Sequence, residues 1–255
     1  MKPHKLYFIL LLFLFSIVLN AQVSPTKKEH IVSFKTQFIQ IKDAFNYGLV
    51  YNGLNLKGSY SFVLSSDKFT FSYNPDLAFG AMFNKGVAMA WHVKPIDLFY
   101  GWKVNKSETK PLTIGPYFAT NYNWQLYPYL QSGHMFWFSA LEFGPRFLFT
   151  TPIKSKVFRI TLTNSLAGWT SRPEPATETY FYSLTFSDFV NNAHSNMKFG
   201  SFDLFNHTTL EIALAHAKDK KMSIGYEFEY FGYFDDPRLS YMAHSINLIW
   251  KVGRN

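Results

Sequence analysis

Leu54-Asn55-Leu56-Lys57-Gly58-Ser59-Tyr60-Ser61-Phe62-Val63-Leu64-Ser65 alternates oily and polar side chains. Leu54, Leu56, Tyr60, Phe62 and Leu64 share one parity. Asn55, Lys57, Ser59, Ser61 and Ser65 share the other. A strand points successive side chains to opposite faces, so this segment reads as a strand with one oily and one wet face.

The same pattern recurs along the chain. Phe69, Phe71 and Tyr73 alternate with Thr70, Ser72 and Asn74. Leu112, Ile114, Phe118, Tyr122, Trp124 and Leu126 oppose Thr113, Asn121, Asn123 and Gln125. Leu141, Phe143, Phe147 and Phe149 oppose Glu142, Gly144 and Arg146. Tyr180, Tyr182, Leu184 and Phe186 oppose Ser183, Thr185 and Ser187. Leu210, Ile212 and Leu214 face away from Thr209 and Glu211. Ile224, Tyr226, Phe228 and Tyr230 face away from Glu227 and Glu229. Ile246, Leu248, Trp250 and Val252 face away from Ser245, Asn247 and Lys251.

Breaks between segments carry turn chemistry. Asn52-Gly53 is a two-residue hairpin signal. Ser65 to Lys68, Thr151 to Lys156, Ala217 to Lys221 and Asp235 to Arg238 read as polar turns. Longer breaks fall at 105–110, 127–134, 171–178 and 191–197. The reading predicts ten to twelve strands, twelve preferred. The stretches 76–104 and 198–216 each hold one strand or two. Residues 22–36 read as a short polar lead-in on the periplasmic side, and 37–255 as a single β domain.

Composition agrees with a β protein. The chain has 255 residues, 47% hydrophobic, 20% aromatic and only 16% charged. Disordered chains are poor in aromatics and rich in charge, so disorder is excluded. With no Cys, disulfides and thiolate metal sites are impossible. After the N-terminus no segment approaches the 18 apolar residues of a membrane helix.

Residues 1–21 read as a cleaved secretory signal. Lys2 and Lys5 supply the positive start. Leu6 to Leu19 is the apolar run, broken only by Ser16, and Ala21 offers a small residue for cleavage. The formal charge is +8. Without Lys2 and Lys5, 23 basic residues face 17 acidic ones, about +6.

Alternation suits two architectures. A soluble sandwich or lipid-binding barrel points its oily face inward. A transmembrane barrel reverses this, with lipid outside and a polar interior. Four observations favour the membrane version. The segments run about ten residues, enough to cross tilted. Their polar faces are rich in Ser, Thr, Asn and Gly. Their oily faces carry Tyr122, Trp124, Tyr127, Tyr129 and Trp250, rings suited to the membrane interface. The N-terminal signal supplies export.

From about residue 37 to 253 the chain resembles the Gram-negative outer-membrane β-barrels. The resemblance rests on the export signal, the alternating segments, the aromatic ends and the final strand, Met242 to Val252. It implies an antiparallel up-and-down barrel in the outer membrane. It also implies contact with outer-membrane lipid and glycolipid, and delivery by the outer-membrane insertion machinery.

Chemistry-bearing residues are few. His194 and Ser195 are adjacent, so on a strand they would point to opposite faces, and they read as polar loop residues rather than a catalytic pair. The histidines beyond the signal, at 30, 92, 134, 194, 207, 216 and 244, form no compact ligand motif. No metal and no cofactor is expected. Glu142, Arg146, Arg159, Glu211, Glu227, Glu229 and Lys251 fall on polar faces. Inside a narrow barrel such charges should pair, because an unpaired buried charge is costly. They would either fill the lumen as a network or line a small pore.

The expected function is a non-enzymatic barrel. It would be a narrow pore, or a structural or accessory subunit alongside other outer-membrane proteins. A lipid hydrolase or acyltransferase and a soluble exported lipid-binding barrel are the alternatives. Nucleic acid is not an expected partner.

Overall fold

Alternating segments have unpaired backbone edges until each finds a neighbour, and here pairing runs around the whole wall. The computed structural model describes residues 27–105, 110–129, 134–173, 185–216 and 221–252. Among them lie thirteen β segments. They are β1 (Lys27–Asp43), β2 (Val50–Ser65), β3 (Phe69–Tyr73), β4 (Asp76–Phe83), β5 (Val87–Lys103), β6 (Leu112–Tyr127) and β7 (His134–Ile153). After these come β8 (Lys156–Asn164), β9 (Ala167–Ser171), β10 (Lys198–Ser201), β11 (Phe205–His216), β12 (Met222–Tyr233) and β13 (Leu239–Val252). Three crossings are interrupted: β3 with β4, β8 with β9, and β10 with β11. The thirteen segments therefore make ten crossing strands.

Each strand pairs antiparallel with the next, and β1 closes the ring on β13, from His30 opposite Val252 to Asp43 opposite Leu239. This is an up-and-down barrel. Its strand number is the lower bound of the sequence expectation. Phe186, which ended one alternating run, instead begins a helix, α1 (Phe186–Asn192). The rest of that run, at 180–184, lies outside the described residues, as do the signal segment at 1–21 and the turn residues 217–220.

Two sequence expectations are corrected. Residues 27–36 are not a lead-in, because β1 begins at Lys27 and is paired along its length. Asn52-Gly53 is not a turn. The first hairpin turns at 44–49, where Tyr47 and Gly48 take positive φ. Gly53 lies within β2, and a Cβ there would come within 2.1 Å of the Ala81 carbonyl oxygen. A close strand approach therefore requires that glycine.

The faces divide as alternation dictates. Leu54, Leu56, Phe38, Phe79 and Ile246 are exposed on the outer wall. Lys35, Asn55, Lys57, Glu227, Glu229, Ser245 and Asn247 are buried inside. A contiguous apolar surface of this extent does not suit water. It suits lipid, whose hydrocarbon takes the place of a packed partner. Among the described residues no helix is long and apolar enough to cross a membrane; the strands make the crossing.

Parity is not uniform. A bulge between Val93 and Ile96 shifts the register of β5 against β6. His92 and Lys94 point inward before it, Asp97 and Phe99 after it. The interruptions at 165–166 and 202–204 also switch parity.

The lipid face is testable at Leu56, near the middle of β2. Leu56→Arg should destabilise the barrel by about 2–4 kcal/mol, and Ser59→Arg by clearly less. Reversible unfolding in lipid or detergent micelles measures both. Equal losses would mean that the two positions share one environment.

Candidate functional site

The interior is layered from one end to the other. The terminal end is where β1 begins and β13 finishes. The far end carries the turns at 44–49 and 84–86, and there β9 ends and β10 begins.

The middle layer is charged. Lys57, on β2, lies 3.2 Å from Asp76, 3.6 Å from Glu229 and 3.7 Å from Glu227. Lys35, on β1, bonds Glu227 and lies 3.3 Å from Glu211. Lys94 lies 3.3 Å from Asp76 and 3.8 Å from Asp97. Arg146, on β7, donates two hydrogen bonds to the Asp97 carboxylate, at 2.7 and 2.8 Å, and one to Thr163 at 2.9 Å. Its guanidinium also lies over the Tyr117 and Phe99 rings. His207, on β11, sits between Glu142 at 2.8 Å and Glu229 at 3.1 Å. Asn121 donates to Glu142 at 2.7 Å and contacts His92 at 3.1 Å. His92 lies 3.8 Å from Asp76. The contacts therefore close a circuit around the inner wall: Lys57, Asp76, His92, Asn121, Glu142, His207, Glu229 and back to Lys57.

The far layer is apolar. Phe138 meets Phe231 with ring centroids 4.1 Å apart, Phe45 stacks on Phe136 at 4.9 Å, and Tyr51 meets Tyr127 edge-on at 5.1 Å. Met82, Phe205, Tyr233 and Leu239 complete the cluster. Arg172 seals it, donating to Asp43 at 2.7 Å and lying over the Phe45 and Tyr233 rings. Asp43 also accepts from Gln125 at 3.2 Å.

The terminal layer is open and polar. A cavity of about 350 Å³ is lined there by Ser33, Ser59, Ser61, Thr161, Arg159 and Glu211, among others. A second void, of about 20 Å³, lies where the charged layer meets the far layer.

The sequence-derived site residues fall as follows. Glu142 and Arg146 share the inner face, but their polar contacts run to different partners: Arg146 pairs with Asp97, and Glu142 with His207 and Asn121. Glu227 and Glu229 point inward together. Arg159 and Glu211 line the terminal cavity. Lys251 lies at its rim, 2.9 Å from Glu29. Lys35, Lys57, Asp76, Lys94, Asp97 and His207 were not singled out. The wet-face parity of Lys57 is legible in β2, whereas its role as a hub depends on acids from β4 and β12.

The interface aromatics divide. Trp250 and Tyr129 are outside. Tyr127 is not an interface ring, since its side chain is buried in the far layer and its hydroxyl donates to Gln125. Tyr122 and Trp124 face outward and stack at 5.7 Å. Trp124 packs with Leu126, Met135, Trp137 and Ala193, so the chain's own 185–197 segment covers it. His194 joins this cover. Its Nε2 accepts from the Tyr122 hydroxyl at 2.8 Å, and its Nδ1 donates to the Val190 carbonyl at 2.9 Å. The Ser195 hydroxyl donates to the Asn192 carbonyl at 2.8 Å. These two residues are not assembled as nucleophile and base. Among the described residues no group of His, Asp and Glu is placed to hold a metal ion. At the far rim Asp235 accepts from Lys198 at 2.7 Å, and that bond holds its carboxyl below the usual range.

The pairing of Arg146 with Asp97 generates a measurable coupling. Either single alanine variant strands a buried charge and should cost about 3–5 kcal/mol. The double variant should cost clearly less than the sum of the two. The cycle of Arg146→Ala with Glu142→Ala should show weaker coupling. Additive losses for Arg146 and Asp97 in equilibrium unfolding would reject their pairing.

No family model and no curated protein matches the chain. Solved structures do. The outer membrane protease OmpT from Escherichia coli is 7% identical, over 90% of this chain and 98% of that one, with a TM-score of 0.50. The translocator domain of the autotransporter NalP from Neisseria meningitidis is 7% identical over 96% of each chain, with a TM-score of 0.47. An outer membrane channel from Pseudomonas putida F1 is 8% identical over 88% of this chain and 95% of that one, with a TM-score of 0.39. Likeness at such identity concerns the fold and not the activity. The chain has the closed antiparallel fold of the Gram-negative outer-membrane β-barrels.

Proposed function

We propose that the protein is a non-enzymatic outer-membrane barrel that conducts no solute in this conformation and serves as a structural or accessory subunit of a larger outer-membrane assembly. One observation carries the reading: the far half of the lumen is filled. The ring cluster around Phe138 and Phe231, sealed by Arg172 and Asp43, interrupts any path from the terminal cavity. The void of about 20 Å³ beneath it has room for about one water. Ten strands also fall short of the 16–18 that leave an aqueous channel.

The lipid-suited outer wall supports residence in the outer membrane. By sequence length, the connections at 66–68 and 154–155 on the terminal side are short, and the longest, between β9 and β10, leaves the barrel on the far side. In this fold class short turns face the periplasm, so the terminal cavity faces inward to the cell envelope. The separate engagements of His194 and Ser195 favour a non-enzymatic reading over a lipid hydrolase.

Purified protein in planar bilayers should give no stepwise conductance in molar potassium chloride. Steady ohmic steps would overturn the non-conducting reading. After mild extraction from its own membrane, the protein should migrate on a native gel well above a 29.6 kDa chain in its detergent micelle. Migration as a monomer would overturn the subunit reading.

A further inference from the structure

The terminal cavity differs from the rest of the lumen in what its walls offer. Its volume, about 350 Å³, lies within the range of small-ligand pockets. Ser59, Ser61, Thr113 and Thr161 give it a wall of hydroxyls, each able to donate and accept. Its floor is the charged layer, where Lys35, Lys57, Lys94 and Arg146 are each held by carboxylates.

Two further cations face the same cavity without such partners. Lys103, at the end of β5, and Arg159, on β8, are half-buried in its wall. Among the described residues neither forms an ion pair. The nearby acids are already engaged: Glu211 lies 3.3 Å from Lys35, and Glu29 is held by Lys27 and Lys251. In all, six Lys and Arg side chains line the cavity against five Asp and Glu. One of those acids, Glu29, is held by Lys27 and Lys251 from outside the lining, and the other four face Lys35, Lys57, Lys94 and Arg146, so the uncompensated charge sits on Lys103 and Arg159. A guanidinium presents a planar fork that matches carboxylate or phosphate oxygens, and partial burial weakens the competition from water.

We propose that this cavity binds a small anionic, polyhydroxylated solute, a sugar acid or a sugar phosphate, entering from the terminal end. Arg159 and Lys103 hold the anionic group. The Ser and Thr wall takes the hydroxyls. The far layer makes the site a dead end, so the solute leaves by the way it came. This site goes beyond the subunit reading and does not depend on it.

Calorimetric titration of the full-length protein in detergent tests the proposal, with glucuronate, glucose 6-phosphate, glucose and inorganic phosphate as probes. At least one anionic sugar should bind ten-fold or more tightly than both glucose and inorganic phosphate. Glucuronate and glucose 6-phosphate as separate arms distinguish carboxylate from phosphate recognition. Lys103→Gln with Arg159→Gln should weaken that binding at least ten-fold. Lys103→Arg with Arg159→Lys should keep most of it, as should Lys42→Gln on the exposed outer face. Heat-modifiable gel migration checks that each variant is folded. No binding of either anionic sugar overturns the proposal. So does glucose or inorganic phosphate binding equally well, or unchanged binding by the folded double Gln variant.

Discussion

Lys57 has its ammonium inside the barrel with three carboxylates within 4 Å. An ammonium removed from water loses several kcal/mol of solvation, so it can stay there only if acids are delivered to it. Asp76 comes from β4, and Glu227 and Glu229 come from β12, on the other side of β1 and β13. One buried cation thus ties the two flanks of the closing seam together. The circuit through His92, Asn121, Glu142 and His207 extends the same demand around the wall. A one-residue slip of any strand would turn its charge to lipid and orphan its partners. The charged layer contributes less to net stability than to register, since desolvation offsets much of the attraction.

The apolar far layer answers a different demand. Backbone pairing closes the wall but leaves the space inside it to be filled. Near the far rim that space is taken by Phe136, Phe138, Phe205 and Phe231, inward-pointing on strands whose outer faces are also oily. Both faces are therefore hydrophobic there. On the outside, the β5–β7 patch around Trp91, Tyr122, Trp124 and Trp137 is covered in part by Ala193 and His194. The chain supplies its own partner where one face has no core to join.

Much of the fold was legible because period-two alternation is a local property. Leu54 to Ser65 read as one strand, and Glu227 with Glu229 read as inward, because each run keeps a single parity. The site was harder, for physical reasons. Lys35 lies in a stretch whose polar start resembled a lead-in. Lys94 and Asp97 straddle the bulge in β5, so no single parity describes both. His207 follows the break at 202–204, where parity also switches. Tyr127 followed the inward parity of Asn121 and Gln125, yet its ring alone suggested the membrane interface. Pairing choices such as Arg146 with Asp97 join strands that are not neighbours. They depend on how the sheet curves, which no local pattern encodes.

Side-chain length also explains where the interior is empty. A ten-stranded wall encloses more space than short side chains can reach across. At the far end long aromatic rings meet, as Phe138 and Phe231 do. In the middle Lys57 and Arg146 reach past neighbouring strands to carboxylates, and the charges fill what the rings do not. Toward the terminal end the inward positions are Ser33, Ser59, Ser61 and Thr161, whose side chains end one or two atoms from the wall. Ser33 and Ser59 bond each other along the wall, but none of these side chains spans the lumen, so a cavity remains at that level. Lys103 and Arg159 are long enough to enter it, and nothing of opposite charge is left there to receive them. The same alternation that builds the wall thus sets, by the size of its inward residues, which level is sealed, which is neutralised and which is open to solute.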